Sequence, residues 1–141
     1  PNCRESITAW ANRKDSKILP PLSIDAQAES WGISEGEEYD AIVCINMIHI
    51  TPFSCVEGLL SNASRMLAKN NLLFLYGPFK RSGEHVSQSN QRFDEDLRRR
   101  NSEWGIRDLE IITSRAGREG LALSEVIEMP QHNLSVIFKR S

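Results

Sequence analysis

Between Tyr39 and Arg81 the chain runs through an apolar stretch, an amphipathic stretch and a second apolar stretch, an order that leaves few architectures open. Tyr39 to Ile50 is nearly all apolar until Asn46 and His49 interrupt it, and Leu72 to Tyr76 is apolar until Gly77-Pro78 stops it. Between them Phe53, Val56, Leu59, Leu60, Ala63, Met66 and Leu67 recur at steps of three and four, the period of one helix face. Thr51-Pro52 suits a helix start, since threonine caps free N–H groups and proline is tolerated at the first helical position, and Asn70-Asn71 ends the element. The unit is strand, crossover helix, strand. Strands this continuous in apolar residues predict a parallel sheet covered on both faces. Open sheets of this kind take ligands at the carboxyl ends of their strands, where Asn46, His49 and Tyr76-Gly77-Pro78 fall.

The flanking sequence extends that unit. Arg4 to Asn12 is expected to form a short helix with Ile7, Trp10 and Ala11 inward, and Ile18 to Asp25 a short strand around Pro20-Pro21, a pair that suits a strand's start or edge. Ala26 to Glu38 reads as a connection with Trp31 folded onto the core. After a loop from Lys80 to Asn90, Ser89 is expected to cap a helix to about Arg100 with Phe93 and Leu97 inside. A further helix from about Arg107 to Arg118 offers Leu109, Ile112 and Ala116 before Gly120 closes it. Leu121 to Met129 and Asn133 to Lys139 then make an antiparallel hairpin at the sheet edge.

With 141 residues, 40% hydrophobic and 26% charged, the chain has the size and composition of one globular domain, 1–141. A net charge of −2 exerts no general pull toward nucleic acid or anionic membrane. No apolar run reaches the roughly 18 residues needed to span a bilayer, and no secretory signal is visible, so a cytoplasmic, intracellular location is expected. Cys3, Cys44 and Cys55 are odd in number and form no Cys-x-x-Cys pair, and His49, His85 and His132 are dispersed, so neither a disulfide framework nor a metal site is expected. Arg98-Arg99-Arg100 follow Asp94-Glu95-Asp96 by four residues each, so on a helix every arginine has an acidic partner and the cluster reads as a solvated face, not a phosphate-binding patch.

Asn46-Met47-Ile48-His49-Ile50, Leu75-Tyr76-Gly77-Pro78-Phe79-Lys80, Ser87-Gln88-Ser89-Asn90, Trp104-Gly105-Ile106-Arg107-Asp108-Leu109 and Glu128-Met129-Pro130 occur in that order along almost the whole chain. In these motifs the sequence resembles class I S-adenosylmethionine-dependent methyltransferases, and most closely the methyltransferase-like protein 26 family, also called domain of unknown function 938. The resemblance implies an α/β, Rossmann-like fold with a mostly parallel sheet and an antiparallel C-terminal hairpin, S-adenosyl-L-methionine as cofactor and methyl transfer to an unknown acceptor. The family's glycine-rich turn after the first strand has no counterpart, since Gly32 and Gly36 do not follow an apolar strand. With Pro1 in place of an initiator Met, the chain is expected to be N-terminally truncated: the C-terminal two thirds of a methyltransferase-like domain, inactive alone and weak or silent in cofactor binding.

By the same resemblance Asp25, Ala26, Asn46 and Met47 are cofactor-binding candidates: Asp25 near the adenine, Asn46 beside the methionyl part, Met47 packed against the cofactor. Each has a plainer alternative, respectively a turn-starting acid, a strand-end amide and a core methionine. His49 is the catalytic candidate, an imidazole able to accept a substrate proton near neutral pH, with a histidine merely bonded to a neighbouring loop as the alternative. Tyr76, Gly77 and Pro78 are placed on the pocket floor, with Phe79, Lys80, Arg81, Glu84 and His85 on a loop over the substrate; a solvated loop is the alternative. Tyr76 and Lys80 have the dehydrogenase spacing Tyr-x-x-x-Lys, but Gly77-Pro78 forbids the helix that pair needs. Arg107-Asp108 is placed against the Ser89-Asn90 loop.

The missing strands would leave the 41–45 strand with an open edge, and such an edge seeks another strand. Three outcomes are open: Ile18–Asp25 closes the gap, the chain dimerises or swaps an element, or a separate polypeptide supplies a strand. The competing functional class is a non-catalytic methyltransferase-like protein-interaction module. The acceptor is not legible, and no base-stacking aromatic set points to nucleic acid.

Overall fold

The structure, a computed structural model, describes residues 3–33 and 36–141; Ser34 and Glu35 of the predicted connection, and Pro1, lie outside the described residues. The apolar run becomes strand β1 (Tyr39–Ile45), a 3₁₀ turn (Met47–His49) leads to helix α2 (Phe53–Met66), and β2 (Leu67–Arg81) returns parallel to β1. Ahead of them lies helix α1 (Cys3–Ala11). After β2 come β3 (Glu84–His85), α3 (Gln88–Arg100), β4 (Arg107–Asp108), α4 (Leu109–Arg118), β5 (Leu121–Met129), a 3₁₀ turn (Pro130–His132) and β6 (Asn133–Arg140). The main sheet order is β1-β2-β6-β5, with β6 antiparallel to both neighbours and two-residue β3 and β4 pairing with the end of β2. This is the mixed sheet of a Rossmann-like methyltransferase fold, and the predicted C-terminal hairpin holds, with β5 at the edge.

The core forms on one face. Leu73, Leu75 and Phe79 of β2, Val136 and Phe138 of β6 and Cys44 of β1 pack against Val56, Leu59, Leu60 and Ala63 of α2 and Leu109, Ile112 and Ala116 of α4. Alternate residues of a strand face opposite sides, so Val43 and Ile45 point the other way and stay 60% and 59% exposed. The expectation of a sheet covered on both faces is therefore corrected: among the described residues one face is packed and the other carries exposed apolar side chains. The break at Asn70-Asn71 appears inside β2, where Asn70 takes a left-handed φ of 69° and the register with β1 jumps between Leu67 and Leu72.

The N-terminal readings change most. Residues 18–25 form no strand; Pro20 and Pro21 offer no N–H to a ladder, and the segment after them lies on α2 instead. Ser54, Asn62 and Arg65 of α2 bond the Gln27 side chain, the Ala28 carbonyl and the Glu29 carbonyl in turn. Gly58 lies in the middle of that row, where a Cβ would collide with the Ala26 carbonyl, so glycine is what lets the segment approach. The closing of the β1 edge by Ile18–Asp25 is thus excluded. Helix α1 buries none of its residues: Ile7 and Trp10 are exposed, and the Arg13 guanidinium stacks over Trp10. Trp31 does pack on the core, as expected.

Two helix caps also differ. Thr51 donates its hydroxyl to the Met47 carbonyl and leaves α2 uncapped by a side chain. Ser87, not Ser89, caps α3 by accepting from the Asn90 N–H.

Candidate functional site

Asn46 ends β1 in a left-handed conformation, φ 58°, while its N–H continues the ladder to the Tyr76 carbonyl at 2.9 Å. Asparagine tolerates that region better than most residues. The turn it starts carries His49 under the end of β2, 1% exposed and edge-on to Phe79, with ring centroids 5.2 Å apart. Gly77 of β2 faces both: a Cβ there would lie 2.7 Å from His49 Nε2 and 3.0 Å from Asn46 Oδ1, and its φ of 155° adds to the demand for glycine. Asn46, His49 and Gly77 therefore pack closely together at the carboxyl rim of β1 and β2.

The state of His49 follows from its bonds. The Arg107 N–H donates to Nδ1 at 3.3 Å, so Nδ1 is unprotonated and the neutral ring carries its proton on Nε2. Burial, then the nearby Arg107 charge, pushes its pKa down to about 4, which keeps the ring neutral near pH 7. Nε2 has no hydrogen-bond partner among the described residues although it is buried. A buried donor left unsatisfied costs about 1–3 kcal/mol, which marks this atom as one with bonding capacity in reserve. In this tautomer it donates rather than accepts.

Arg107 is a residue the sequence reading misplaced. Instead of reaching the Ser89-Asn90 loop, its guanidinium donates to the carbonyls of Ile48, Thr51 and Glu103 and fastens the turn that carries His49. Asp108 caps α4 through the Ile111 N–H and accepts from the Gly83 N–H at 2.5 Å.

A second polar centre was also not foreseen. Asp94, 4% exposed, accepts from Lys80 Nζ at 3.1 Å, His85 Nε2 at 3.2 Å, Arg98 Nε at 3.2 Å and the Ile106 N–H at 2.7 Å. Burial raises its pKa, but the Ile106 N–H, Arg98 and Lys80 together outweigh that and hold it below its ordinary value. Of the expected pairs four residues apart, Asp94–Arg98 and Asp96–Arg100 form, while Arg99 turns to Asp96 and Glu95 bonds Gln91; the correction is that Asp94 is a buried hub rather than part of a solvated face. Asn90, Asp94 and Leu97, spaced as one helix stripe, form the inner face of α3, and Phe93 lies outside it, 44% exposed. That polar stripe was the available signal; an apolar periodicity search passes over it.

The remaining candidates separate. Met47 is half-buried against the core and its Sδ lies 3.5 Å from the Thr51 hydroxyl. Asp25 is exposed and accepts from the Gln27 N–H in a turn, with Ala26 against Gly58; both sit beside α2, not on a strand end. Tyr76 is half-buried, Gly77 and Pro78 are buried at the strand end. Phe79 belongs to β2 and to the core rather than to a loop over a substrate, and Lys80 and His85 are turned onto Asp94. Cys44 is buried and its thiol is pushed up to about 11, so it is a packing residue.

Pro78 and Asn46 border an open cavity of about 630 Å³, lined also by Ser89, Asn90 and Phe93 of α3 and the Gln131–Asn133 turn. Among the described residues no helix is long and apolar enough to cross a membrane.

Residues 1–140 match the family described as protein of unknown function (DUF938). The chain belongs to the DUF938 family. Among solved structures, the DUF938 chain is similar to human N-acetylserotonin methyltransferase in complex with SAM, with a TM-score of 0.73 and 9% identity over 95% of this chain and 37% of that one. LaPhzM gives 0.75 and 13% over 97% and 39%. An O-methyltransferase family 2 protein from Planctomyces limnophilus in complex with apigenin gives 0.66 and 15% over 77% and 32%. These likenesses show a methyltransferase fold, and the DUF938 chain spans about a third to two fifths of the length of such chains.

Proposed function

We propose that this chain is part of an S-adenosylmethionine-dependent methyltransferase of the methyltransferase-like protein 26 kind, acting in the cytoplasm on a small acceptor. The observation that carries the reading is the convergence of Asn46 Oδ1 and the unpartnered His49 Nε2 on the bare face of Gly77. Glycine at 77 lets the His49 ring and the Asn46 side chain pack directly against the strand backbone at the carboxyl rim, and an orphaned buried donor held there has a hydrogen bond still to give. Asn46 and Gly77, with Met47 behind them, would hold the methionyl side of the cofactor, and Asp25 and Ala26 come near it only if the segment on α2 is also part of that wall. Bound there, the cofactor would supply an electrophilic methyl group on a sulfonium.

The chain's own residues bind and orient. His49 holds its proton on Nε2 and acts as a hydrogen-bond donor, not as the base that removes a substrate proton. Methyl transfer depends chiefly on an acceptor held in line with the reacting carbon, and a rigid donor fastened by Arg107 serves that need. The 1–141 chain forms one domain in this reading and binds the cofactor weakly alone. The test is transfer of radiolabelled methyl from S-adenosylmethionine to a small-molecule extract by the native gene product. Labelled product that falls at least tenfold in His49→Phe is expected, and no labelled product from the native protein overturns the reading.

One observation favours the non-catalytic alternative, a protein-interaction module. β1 pairs only with β2 among the described residues, and Val43 and Ile45 beside that edge are exposed. A second copy or a strand-supplying partner fits there through residues 41–45. Light scattering that finds only monomer at high concentration, with no partner retained, would remove this alternative.

A further inference from the structure

We infer that the cavity between α3 and the Gln131–Asn133 turn is the acceptor site, and that it selects an uncharged, flat aromatic molecule carrying hydroxyl or amide groups. This rests on the methyltransferase reading for the word acceptor, but the choice of ligand rests on the walls. At about 630 Å³ the space is of the size that holds small organic molecules. Its polar walls are amides and hydroxyls: Asn46, Ser89, Asn90, Gln131 and Asn133, with the His132 imidazole among them. Among the described residues no Asp, Glu, Lys or Arg lines it.

Lys80 and His85 are held by Asp94 at 3.1 and 3.2 Å. A carboxylate or ammonium entering the cavity would exchange water for amides and hydroxyls, with no Asp, Glu, Lys or Arg among the described lining residues to pair with it, a penalty of the kind that decides selectivity. Amides both donate and accept, so they suit a neutral ligand with groups of either kind.

The flat walls come from Phe93 and Pro78. The Phe93 ring borders the cavity while Asn90, Asp94 and Leu97 do the packing of α3. Asn90 is buried and its Nδ2 donates to the His132 carbonyl at 3.2 Å, tying α3 to the turn and fixing the mouth of the space. Gln131 and His132 both hold left-handed backbone, φ 60° and 59°. Offset stacking on Phe93 then orients a planar ring, and the amides read its rim.

The experiment titrates the protein with naphthol and with naphthoate, its charged analogue of the same flat ring system, by nuclear magnetic resonance, with S-adenosylmethionine binding followed in parallel. Naphthol should shift resonances of Asn90 and the 131–133 turn, bind at least tenfold more tightly than naphthoate, and lose about tenfold in Phe93→Ala but not in Phe93→Tyr. Phe93 is exposed, so the variant is expected to fold, and an unchanged spectrum outside the cavity checks this. Naphthoate binding as tightly as naphthol, or Phe93→Ala binding unchanged, overturns the inference. Selective naphthol binding by a native protein that never transfers methyl sinks the methyltransferase reading and leaves the selectivity standing. Transfer only to acidic acceptors does the reverse.

Discussion

Three successive N–H groups separate two buried polar centres that are built in opposite ways. Gly105 donates to the His49 carbonyl, Ile106 to the Asp94 carboxylate and Arg107 to the His49 ring, so one extended segment serves both. Asp94 receives four donors, whereas His49 Nε2 receives nothing and meets no acceptor among the described residues. A charge taken out of water must be compensated where it sits, so the carboxylate is saturated and has no capacity for a ligand. A neutral imidazole costs less to bury and can keep one donor in reserve. Saturation marks Asp94 as a structural hub, while His49 Nε2, like Trp31 Nε1 and His85 Nδ1, is buried without a partner among the described residues.

Breaking the saturated centre should have the largest effect. Asp94→Ala leaves Lys80 and the Ile106 N–H without their acceptor and should cost about 3–5 kcal/mol in urea unfolding; a loss under about 1 kcal/mol would mean the hub is decorative. The unsaturated centre should respond to acid instead. With a folded pKa of about 4 against an ordinary 6.5, His49 binds fewer protons folded than unfolded, so stability is full above pH 6.5 and declines as pH falls toward 4. That decline amounts to about 3 kcal/mol, and His49→Gln should remove it from the pH profile. Asp94 enters only lower, since its pKa lies below 3.8.

Crowding the contact between the His49 ring and the strand is a smaller disturbance. Gly77→Ala places a methyl 2.7 Å from Nε2 and should cost about 2 kcal/mol by overpacking, while a retained His49 acid response would show that the ring has stayed buried. The smallest effect is expected at the cavity wall, where Phe93→Ala should alter stability by no more than about 0.5 kcal/mol because the ring is exposed. A larger loss would show Phe93 to be a packing residue and would blur the distinction between hub and site.

Apolar periodicity is a local property, and it suffices for β1, α2, β2, α4 and the β5–β6 hairpin: Leu109, Ile112 and Ala116 are buried because their spacing puts them on one face, whatever lies opposite. The strand-end position of Asn46, His49 and Gly77 follows from the same pattern. Where a segment docks does not. Residues 18–25 have the composition of an edge strand, but prolines remove ladder donors and the free row of α2 around Gly58 offered bonds to the chain after them. Polar partners are likewise a matter of approach in space. Asp94 reaches Lys80, His85 and Ile106 and Arg107 reaches Ile48 and Thr51 across chain separations that no spacing rule encodes, so tertiary packing alone chose which histidine is held and which keeps a proton to offer.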